Sequence, residues 1–316
     1  MLFVFQFIFL NSKLNKVGGN YAIIQKGECA MFTRMIISKV KKELERVGFE
    51  CDSDVMLIKV YENKYLLKVF NEDKSYVVEF YENEADNKKY YNLSVMEKYG
   101  IESLPYYVND PKIFVYKDID GLSDYRFANK DDLENEKVIK GMAKWYKKLH
   151  ECNGDFCKDL CELFSLNNIK EVMEKLKLNN NKAMCYICDN FKNIKLKIDR
   201  LNKCFVCGGF SLQSLVISCD YEKVFINDFS NVSLGYRYLD LRSVLCNLED
   251  REKEIFLKEY GIIKDDEIII DKVFSVILTL IMSINNSSLS FLDREVVDCI
   301  SNGKLYEWAR SLVEWY

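Results

Sequence analysis

The chain has 316 residues, of which 49 % are hydrophobic and 14 % aromatic, so it is long enough to bury a large core and to form two lobes. Its net charge is -4 and its lysines are scattered, which argues against the basic surface that binding to nucleic acid requires. Twelve cysteines without a recognisable signal peptide argue against a disulfide framework and predict free thiols in a cytoplasmic protein.

Residues 1–34 are predicted to be an N-terminal extension, which starts with an apolar run of about ten residues. A bilayer span takes roughly 20 apolar residues, so this run is too short and no transmembrane segment is predicted. Three interpretations stay open: a buried strand, a weak interfacial anchor, or upstream sequence foreign to the natural protein. Met31 and Met35 are alternative starts in the third case. The apolar run from Val273 to Ile284 is also too short and is interpreted as a core helix.

Residues 35–117 show the pattern of a small sheet flanked by helices. Apolar residues at helical spacing predict a helix over 35–48 and a second over Glu84 to Tyr99, which ends at Gly100. Three runs with strand character lie between them, separated by polar turns at 62–64 and 71–75, which predicts an antiparallel meander. These strands, with a fourth after the second helix, are Val55 to Tyr61, Tyr65 to Phe70, Tyr76 to Tyr81, and Ile113 to Lys117.

Residues 118–316 are predicted to form a mostly helical body. Helices are expected at about 134–150, 167–177 and 184–201, and again from Leu239 to the end. Short runs of strand character predict a hairpin over 205–229. The sequence therefore predicts an α+β protein with an antiparallel-sheet part followed by a helical part.

The cysteine spacing raises the question of a zinc site. Cys185 and Cys188, then fifteen residues, then Cys204 and Cys207 fit the spacing of a four-thiolate centre. The residues between the two pairs repeat at helical spacing, which favours one amphipathic helix over 184–201 and buried core thiols. Zinc is therefore the less favoured interpretation.

The order of elements and several short motifs resemble the aminoglycoside phosphotransferase and choline kinase superfamily, including its spore-coat kinase-like branch. The resemblance covers the chain from about residue 50 and is most specific between Phe205 and Leu245. The motifs that carry it are Gly100-Ile101 with Pro105, Phe114-Val115-Tyr116, Leu149-His150, Cys207-Gly208-Gly209, Asp228-Phe229, and Gly235 with Tyr238-Leu239-Asp240-Leu241. It implies a two-lobed protein-kinase-like fold that uses ATP and Mg2+ as cofactors.

Carrying the family's site over shows several departures. The catalytic base falls on Gly209, so it is lost, and the metal-binding Asn five residues on falls on Ser214, a weaker ligand for a hard cation. The metal-binding Asp is kept as Asp228. The strand lysine falls on Glu79 and the helix glutamate on Lys89, which suggests an ion pair with its charges exchanged; a slip in the helix alignment would place Glu84 or Lys88 opposite Glu79 instead. Lys68 is a candidate for the missing cation on the neighbouring strand.

The remaining candidates have supporting roles. Tyr116 and Lys117 are predicted to form a hinge whose backbone binds adenine. His150 and Asp240 are interpreted as structural, with Asp240 capping a helix or bonding the catalytic loop. Asp155 is taken as a loop residue, and Asp220 as a solvent-facing turn residue. An acidic stretch is interpreted as a solvated face; it contains Asp118, Asp120, Asp124, Asp131, Asp132, Glu134 and Glu136.

Three hypotheses follow. The first is a pseudokinase that binds or scaffolds, because loss of a general base costs about 100- to 10,000-fold in rate. The second is an active phosphotransferase that acts on a small hydroxylated or cationic metabolite with an unconventional base. The third is a zinc-stabilised interaction protein. The substrate or protein partner is not specified by the sequence.

Overall fold

A computed structural model describes residues 26–50, 54–61, 64–71, 74–119, 124–154, 157–285 and 294–315. The predictions for residues 1–25, for Asp120 and for Asp155 lie outside these ranges. Two compact units divide the described residues: 26–145 with 211–231, called the sheet unit below, and 146–210 with 232–315, called the helical unit. This division does not coincide with the predicted boundary after residue 117, which stays a prediction about domains.

The sheet unit contains an antiparallel five-stranded sheet in the order β1-β2-β3-β5-β4. Its strands are β1 (Val55–Val60), β2 (Lys64–Asn71), β3 (Lys74–Tyr81), β4 (Tyr106–Asn109) and β5 (Ile113–Lys117). Strand side chains alternate between two faces, and α1 (Lys26–Arg46) covers one of them. Ile36, Val40 and Leu44 of α1 are fully buried in one apolar cluster with Leu67 and Val78 of the sheet. The other face therefore carries the remaining side chains of β2 and β3, including Lys64 and Glu79.

Several boundaries differ from the prediction in this unit, and α1 begins at Lys26 although residues up to 34 are predicted to be an extension. The helix expected over Glu84 to Tyr99 is a short 3-10 helix, Glu84–Asp86, followed by α2 (Lys88–Lys98). Asn87 separates them because its side chain accepts a hydrogen bond from the Tyr90 N–H at 3.0 Å and so begins a new helix. Lys64, expected in a turn, is the first residue of β2 and lies opposite Tyr81.

The segment predicted as one hairpin, 205–229, instead contributes to two sheets. Strands β8 (Leu215–Ser218) and β9 (Val224–Ile226) join β6 (Tyr125–Phe127) in a three-stranded sheet of the sheet unit. Strand β7 (Lys203–Val206) pairs with β10 (Ser233–Tyr236) in the helical unit. The sequence pattern showed the strands correctly but not their partners, because β10 contains Gly235 and has little strand character.

The helical unit is built around α9, which is buried along most of its length. Its helices are α4 (Leu166–Lys175), α5 (Lys182–Asp189), α6 (Phe191–Asp199), α7 (Tyr238–Cys246), α8 (Asp250–Tyr260), α9 (Asp265–Asn285), α10 (Arg294–Ser301) and α11 (Lys304–Glu314), while α3 (Glu136–His150) begins in the sheet unit. The single helix predicted over 184–201 is wrong. Asn190 ends α5, with both its backbone N–H and its side-chain amide bonded to the Tyr186 carbonyl at 3.0 Å. Among the described residues, no helix is long and apolar enough to cross a membrane.

A buried ionic cluster connects α7, α9 and β10. Asp271 of α9 accepts a hydrogen bond from the Tyr236 hydroxyl at 3.1 Å and lies 3.2 Å from the Arg242 guanidinium. Burial raises the pKa of Asp271 to about 6, although Arg242 and Tyr236 act in the opposite direction. The predicted α+β class, with an antiparallel N-terminal sheet and a helical C-terminal part, is confirmed by the structure.

Candidate functional site

Glu79 is the centre of a charge cluster in the sheet unit. It lies on the face of β3 turned away from α1, and its two carboxylate oxygens contact two different lysines. Lys89 of α2 lies 3.1 Å from Oε1, and Lys64 of β2 lies 2.9 Å from Oε2. The Tyr81 hydroxyl donates a further hydrogen bond to Oε2 at 2.9 Å. The structure thus brings together the two residues of the predicted exchanged ion pair and adds Lys64 to them.

The two lysines differ in their contact with solvent. The side chains of Glu79 and Lys89 are each 6 % exposed, whereas that of Lys64 is 26 % exposed. Lys89 is enclosed by aromatic rings: its ammonium lies 4.5 Å from the ring centre of Phe114 and 5.0 Å from that of Tyr116. Lys64 is therefore the cation of this cluster that a ligand in solvent can reach, while Lys89 fixes α2 to the sheet.

Electrostatic interactions favour the ionised forms of Glu79 and Lys64. Burial by itself raises the pKa of Glu79, but the charges of Lys89 and Lys64 and the hydrogen bonds from Lys64 and Tyr81 hold it well below its usual range. Burial lowers the pKa of Lys64, but attraction to Glu79, and to a smaller extent to Asp228, raises it above its ordinary value. One carboxylate between two ammonium groups leaves the cluster with one net positive charge.

Lys68, the predicted replacement cation, has a different partner. It forms an ion pair with Asp118, which also accepts a hydrogen bond from the Ser75 hydroxyl at 2.9 Å. Asp118 is buried, as is Asp132, whose carboxylate receives two bonds of 2.7 and 2.6 Å from the Arg126 guanidinium. The interpretation of the acidic stretch as a solvated face is therefore wrong at these two positions, because each carboxylate has a cation partner nearby.

Tyr116 and Lys117, predicted as hinge residues, lie inside β5. Tyr116 is opposite Val77 of β3 and Tyr106 of β4, and Lys117 is opposite Tyr76. The backbone of these residues belongs to the sheet, and the chain leaves β5 only after Lys117. The Tyr116 side chain instead contributes to the charge cluster, with its hydroxyl 3.5 Å from Glu79 Oε1.

Asp228 and Ser214 lie at neighbouring ends of β9 and β8 in the sheet unit. Asp228 Oδ1 accepts a hydrogen bond from the Ser230 N–H at 2.9 Å, and the Ser214 hydroxyl donates to the Ser211 carbonyl at 2.7 Å. The Asn227 N–H bonds the Ser214 carbonyl at 2.8 Å, which holds the two strand ends together. Next to Asp228, the Phe229 carbonyl accepts a hydrogen bond of 2.6 Å from the Asn92 side chain of α2.

The residues at this position supply a sparse set of ligands for Mg2+. Mg2+ prefers six oxygen ligands in an octahedron, and in nucleotide sites it is held by one or two carboxylates together with phosphate oxygens and waters. Here one carboxylate, Asp228, is accompanied by a hydroxyl, Ser214, that is engaged with a backbone carbonyl. The carboxylate also interacts electrostatically with the Lys64 ammonium, which repels a divalent cation.

Cys207-Gly208-Gly209, the segment that matches the family's catalytic loop in sequence, lies in the helical unit. Gly208 and Gly209 have φ angles of 80° and 115°, in a region that side chains disfavour. Asp240, fully buried in α7, accepts hydrogen bonds from the N–H groups of Cys207 at 2.8 Å and Gly209 at 2.9 Å. His150 Nε2 lies 3.3 Å from Asp240, and its Nδ1 lies 2.8 Å from the Tyr260 hydroxyl. Both predicted structural residues thus help to hold this loop.

The four paired cysteines lie on or next to two different elements, α5 and β7. Cys185 donates to the Asn179 carbonyl at 3.2 Å, and Cys188 contacts the Met173 sulfur at 3.5 Å. Cys204 and Cys207 are buried at β7, where burial raises the pKa of the Cys204 thiol. In the part of the chain that the structure describes, no group of three or more His, Cys, Asp or Glu side chains is placed to hold a metal ion.

The antiparallel sheet with its helix α2, the helical unit and the loop held by Asp240 define a protein of the kinase-like phosphotransferase fold. Choline kinase LicA from Streptococcus pneumoniae has the same fold, with 14 % sequence identity, a TM-score of 0.60 and coverage of 88 % of this chain and 99 % of that one. No protein-family model and no curated protein matches the sequence.

Two further solved structures extend this likeness. The GDP and kanamycin complex of APH(2")-IIia is 12 % identical, with a TM-score of 0.58 over 85 % of this chain and 99 % of that chain. The macrolide 2'-phosphotransferase MphH from Brachybacterium faecium is 8 % identical, with a TM-score of 0.55 over 87 % of this chain and 97 % of that chain. At these identities the likeness establishes the fold, and the predicted kinase-like fold is confirmed.

Sequence reasoning missed Lys64. It was assigned to a turn because it follows Glu62 and Asn63, two residues of turn type. The alternation of Lys64, Leu66 and Lys68 along one strand would have placed Lys64 on the same face as Glu79. The roles assigned to Gly209, Ser214 and Asp228 stay predictions.

Proposed function

We propose that this protein is a pseudokinase: a kinase-fold protein that binds a phosphorylated ligand, with a nucleotide as the leading candidate, and transfers phosphoryl groups inefficiently or not at all. The observation that carries the proposal is the glycine at the family's base position. Gly209 has no side chain to accept a proton, and its backbone N–H is engaged by Asp240 at 2.9 Å. Loss of a general base costs about 100- to 10,000-fold in rate.

The charge cluster supports retained binding in the same protein. The family's strand lysine corresponds to Glu79, and a lone carboxylate there would repel phosphate. Lys64 and Lys89 reverse that effect, since they leave the Glu79 cluster with one net positive charge. Structures of the same fold contain AMP in LicA and GDP in APH(2")-IIia, which supports a nucleotide as the ligand.

A thermal-shift titration of the full chain with ATP, followed by assays of hydrolysis and of transfer to choline and kanamycin, tests the proposal. A ligand that binds only the folded state raises its stability, by about 2.7 kcal/mol at a hundred times its Kd. We expect a saturable rise in Tm without turnover above a heat-inactivated control. Absence of any shift with ATP and GTP would contradict the proposal.

A second candidate is an active phosphotransferase for a small hydroxylated metabolite, and the retained Asp228 favours it. This candidate predicts turnover that disappears in Asp228→Ala, with Asp220→Ala as a matched control, because Asp220 is an exposed turn residue. Turnover that survives in Asp228→Ala as well as in Asp220→Ala would contradict both candidate functions. A cytoplasmic location and a specific relation to the spore-coat branch stay predictions, as does the zinc-stabilised alternative.

A further inference from the structure

The Glu79 cluster differs from a simple exchange of two charges. An exchange alone would place one carboxylate on β3 and one ammonium on α2, with no net charge. The structure adds Lys64, which lies opposite Tyr81 on β2 and therefore on the same sheet face as Glu79, two residues along the neighbouring strand. The surplus positive charge thus belongs to the lysine that is partly exposed.

Lys64 also lies within the electrostatic reach of Asp228. Attraction to that carboxylate contributes to the stability of the Lys64 ammonium. The two groups do not form an ion pair, but Asn92 of α2, one turn after Lys89, bonds the carbonyl of Phe229, next to Asp228, at 2.6 Å. The Glu79 cluster and the family's metal-binding carboxylate therefore lie in the same region of the sheet unit. Ser214, at the second metal position, offers a hydroxyl whose proton is bonded to the Ser211 carbonyl, rather than the amide oxygen of an Asn.

We propose that Lys64 takes the charge-neutralising role of the divalent cation, so that this protein binds the phosphates of a nucleoside triphosphate without Mg2+. The inference rests on the proposed function, because it concerns how the same ligand is held. An ammonium group can donate three hydrogen bonds to phosphate oxygens and supplies one positive charge without six oxygen ligands. Lys89 is too deeply enclosed for this role and remains the counter-charge of Glu79 when Lys64 turns toward the ligand.

Calorimetric titration of the full chain with ATP, once in EDTA and once in excess MgCl2, tests the inference. We expect similar affinity in both buffers, and no saturable heat with adenosine, which lacks phosphates. Binding that occurs only in MgCl2 would overturn the inference and leave the proposed function standing. Absence of binding in both buffers would contradict the proposed function itself.

Variants of the full chain identify the responsible cation. Lys64→Met should weaken ATP binding in EDTA by about 10- to 100-fold, because it removes a charge-assisted hydrogen bond. Lys64→Arg should restore most of the affinity, which shows that the loss concerns charge and not folding. Lys74→Met is the matched control, since Lys74 is an exposed lysine of β3 with no role in the cluster.

Asp228→Asn distinguishes ATP binding through Mg2+ from ATP binding through Lys64. In a metal-dependent site this change removes the main ligand and weakens binding in MgCl2. With Lys64 as the cation, Asn at this position removes a competing negative charge, so ATP binding in EDTA should be equal or tighter. Weaker binding of this variant in EDTA, or an unchanged affinity in Lys64→Met, would overturn the inference.

Discussion

Glu79 and Asp271 are both buried carboxylates, but their environments shift their pKa values in opposite directions. Glu79 has two ammonium groups within 3.1 Å and the phenol hydroxyls of Tyr81 and Tyr116, and its pKa is lowered. Asp271 has one guanidinium at 3.2 Å and a phenol, and its pKa rises to about 6. Burial favours the neutral acid in both, so the larger number of cations and phenol hydroxyls around Glu79 accounts for the difference in pKa. The second lysine therefore helps to keep this buried carboxylate ionised.

The largest effect is expected from removing the Glu79 carboxylate, which is paired with two lysines. Glu79→Ala should lower the free energy of unfolding by about 3–5 kcal/mol, because it leaves the enclosed Lys89 ammonium without its counter-charge. Chemical denaturation at pH 7 measures this. Glu82→Ala is the control, since Glu82 forms an exposed pair with Lys39, and such pairs contribute about 0–1 kcal/mol. A loss in Glu79→Ala no larger than in the control would show that the cluster does not stabilise the fold.

The pH dependence of stability should distinguish the two carboxylates. Asp271 has a folded pKa of about 6 and an ordinary value of 3.8, so its contribution is fully present below pH 3.8 and is lost as the pH rises through about 6. Between pH 4 and pH 8 the wild-type protein should therefore lose about 2–3 kcal/mol relative to Asp271→Asn. Glu79 has the opposite sign, since its contribution is present above its ordinary pKa and is lost only in acid. Denaturant melts of both proteins across this range provide the measurement, and parallel curves would contradict the prediction.

A smaller effect is expected from a variant that leaves Glu79, like Asp271, with a single cation partner. Lys64→Met leaves Glu79 with Lys89 alone, so it then resembles Asp271 with its single cation. Because Lys64 is partly exposed, we expect a loss of about 1–2 kcal/mol at pH 7. The pKa of Glu79 should rise, and NMR titration of its side-chain carboxyl carbon in the variant and the wild type measures the shift. An unchanged Glu79 pKa would mean that Lys89 alone determines its ionisation.

Sequence patterns predicted the elements better than their ends and partners. The meander from β1 to β3 and the helices α1 and α9 follow from hydrophobic periodicity, which is a local property. The pairing of β7 with β10 is not local, and the amphipathic pattern over 184–201 continues across Asn190 although the helix ends there. Hydrophobic periodicity shows which face of a helix is buried. It can continue through a point at which one helix ends and the next begins.

The candidate site was predicted in part. Alignment to the resembling motifs placed Glu79 opposite Lys89, and the structure joins them at 3.1 Å. Lys64 and the ion pair of Lys68 with Asp118 were missed, since the direction of a lysine side chain depends on strand register, which a turn-like flanking sequence obscured.

The backbone conformation at Gly209 limits which residues can replace this glycine. With φ at 115°, the residue occupies a conformation that costs any other residue of the order of 1–3 kcal/mol. A single mutation to Asp would thus place a carboxylate in a strained loop that Asp240 holds through two N–H groups. This loop therefore accepts a side chain at position 209 only at the cost of backbone strain or of a change in its conformation.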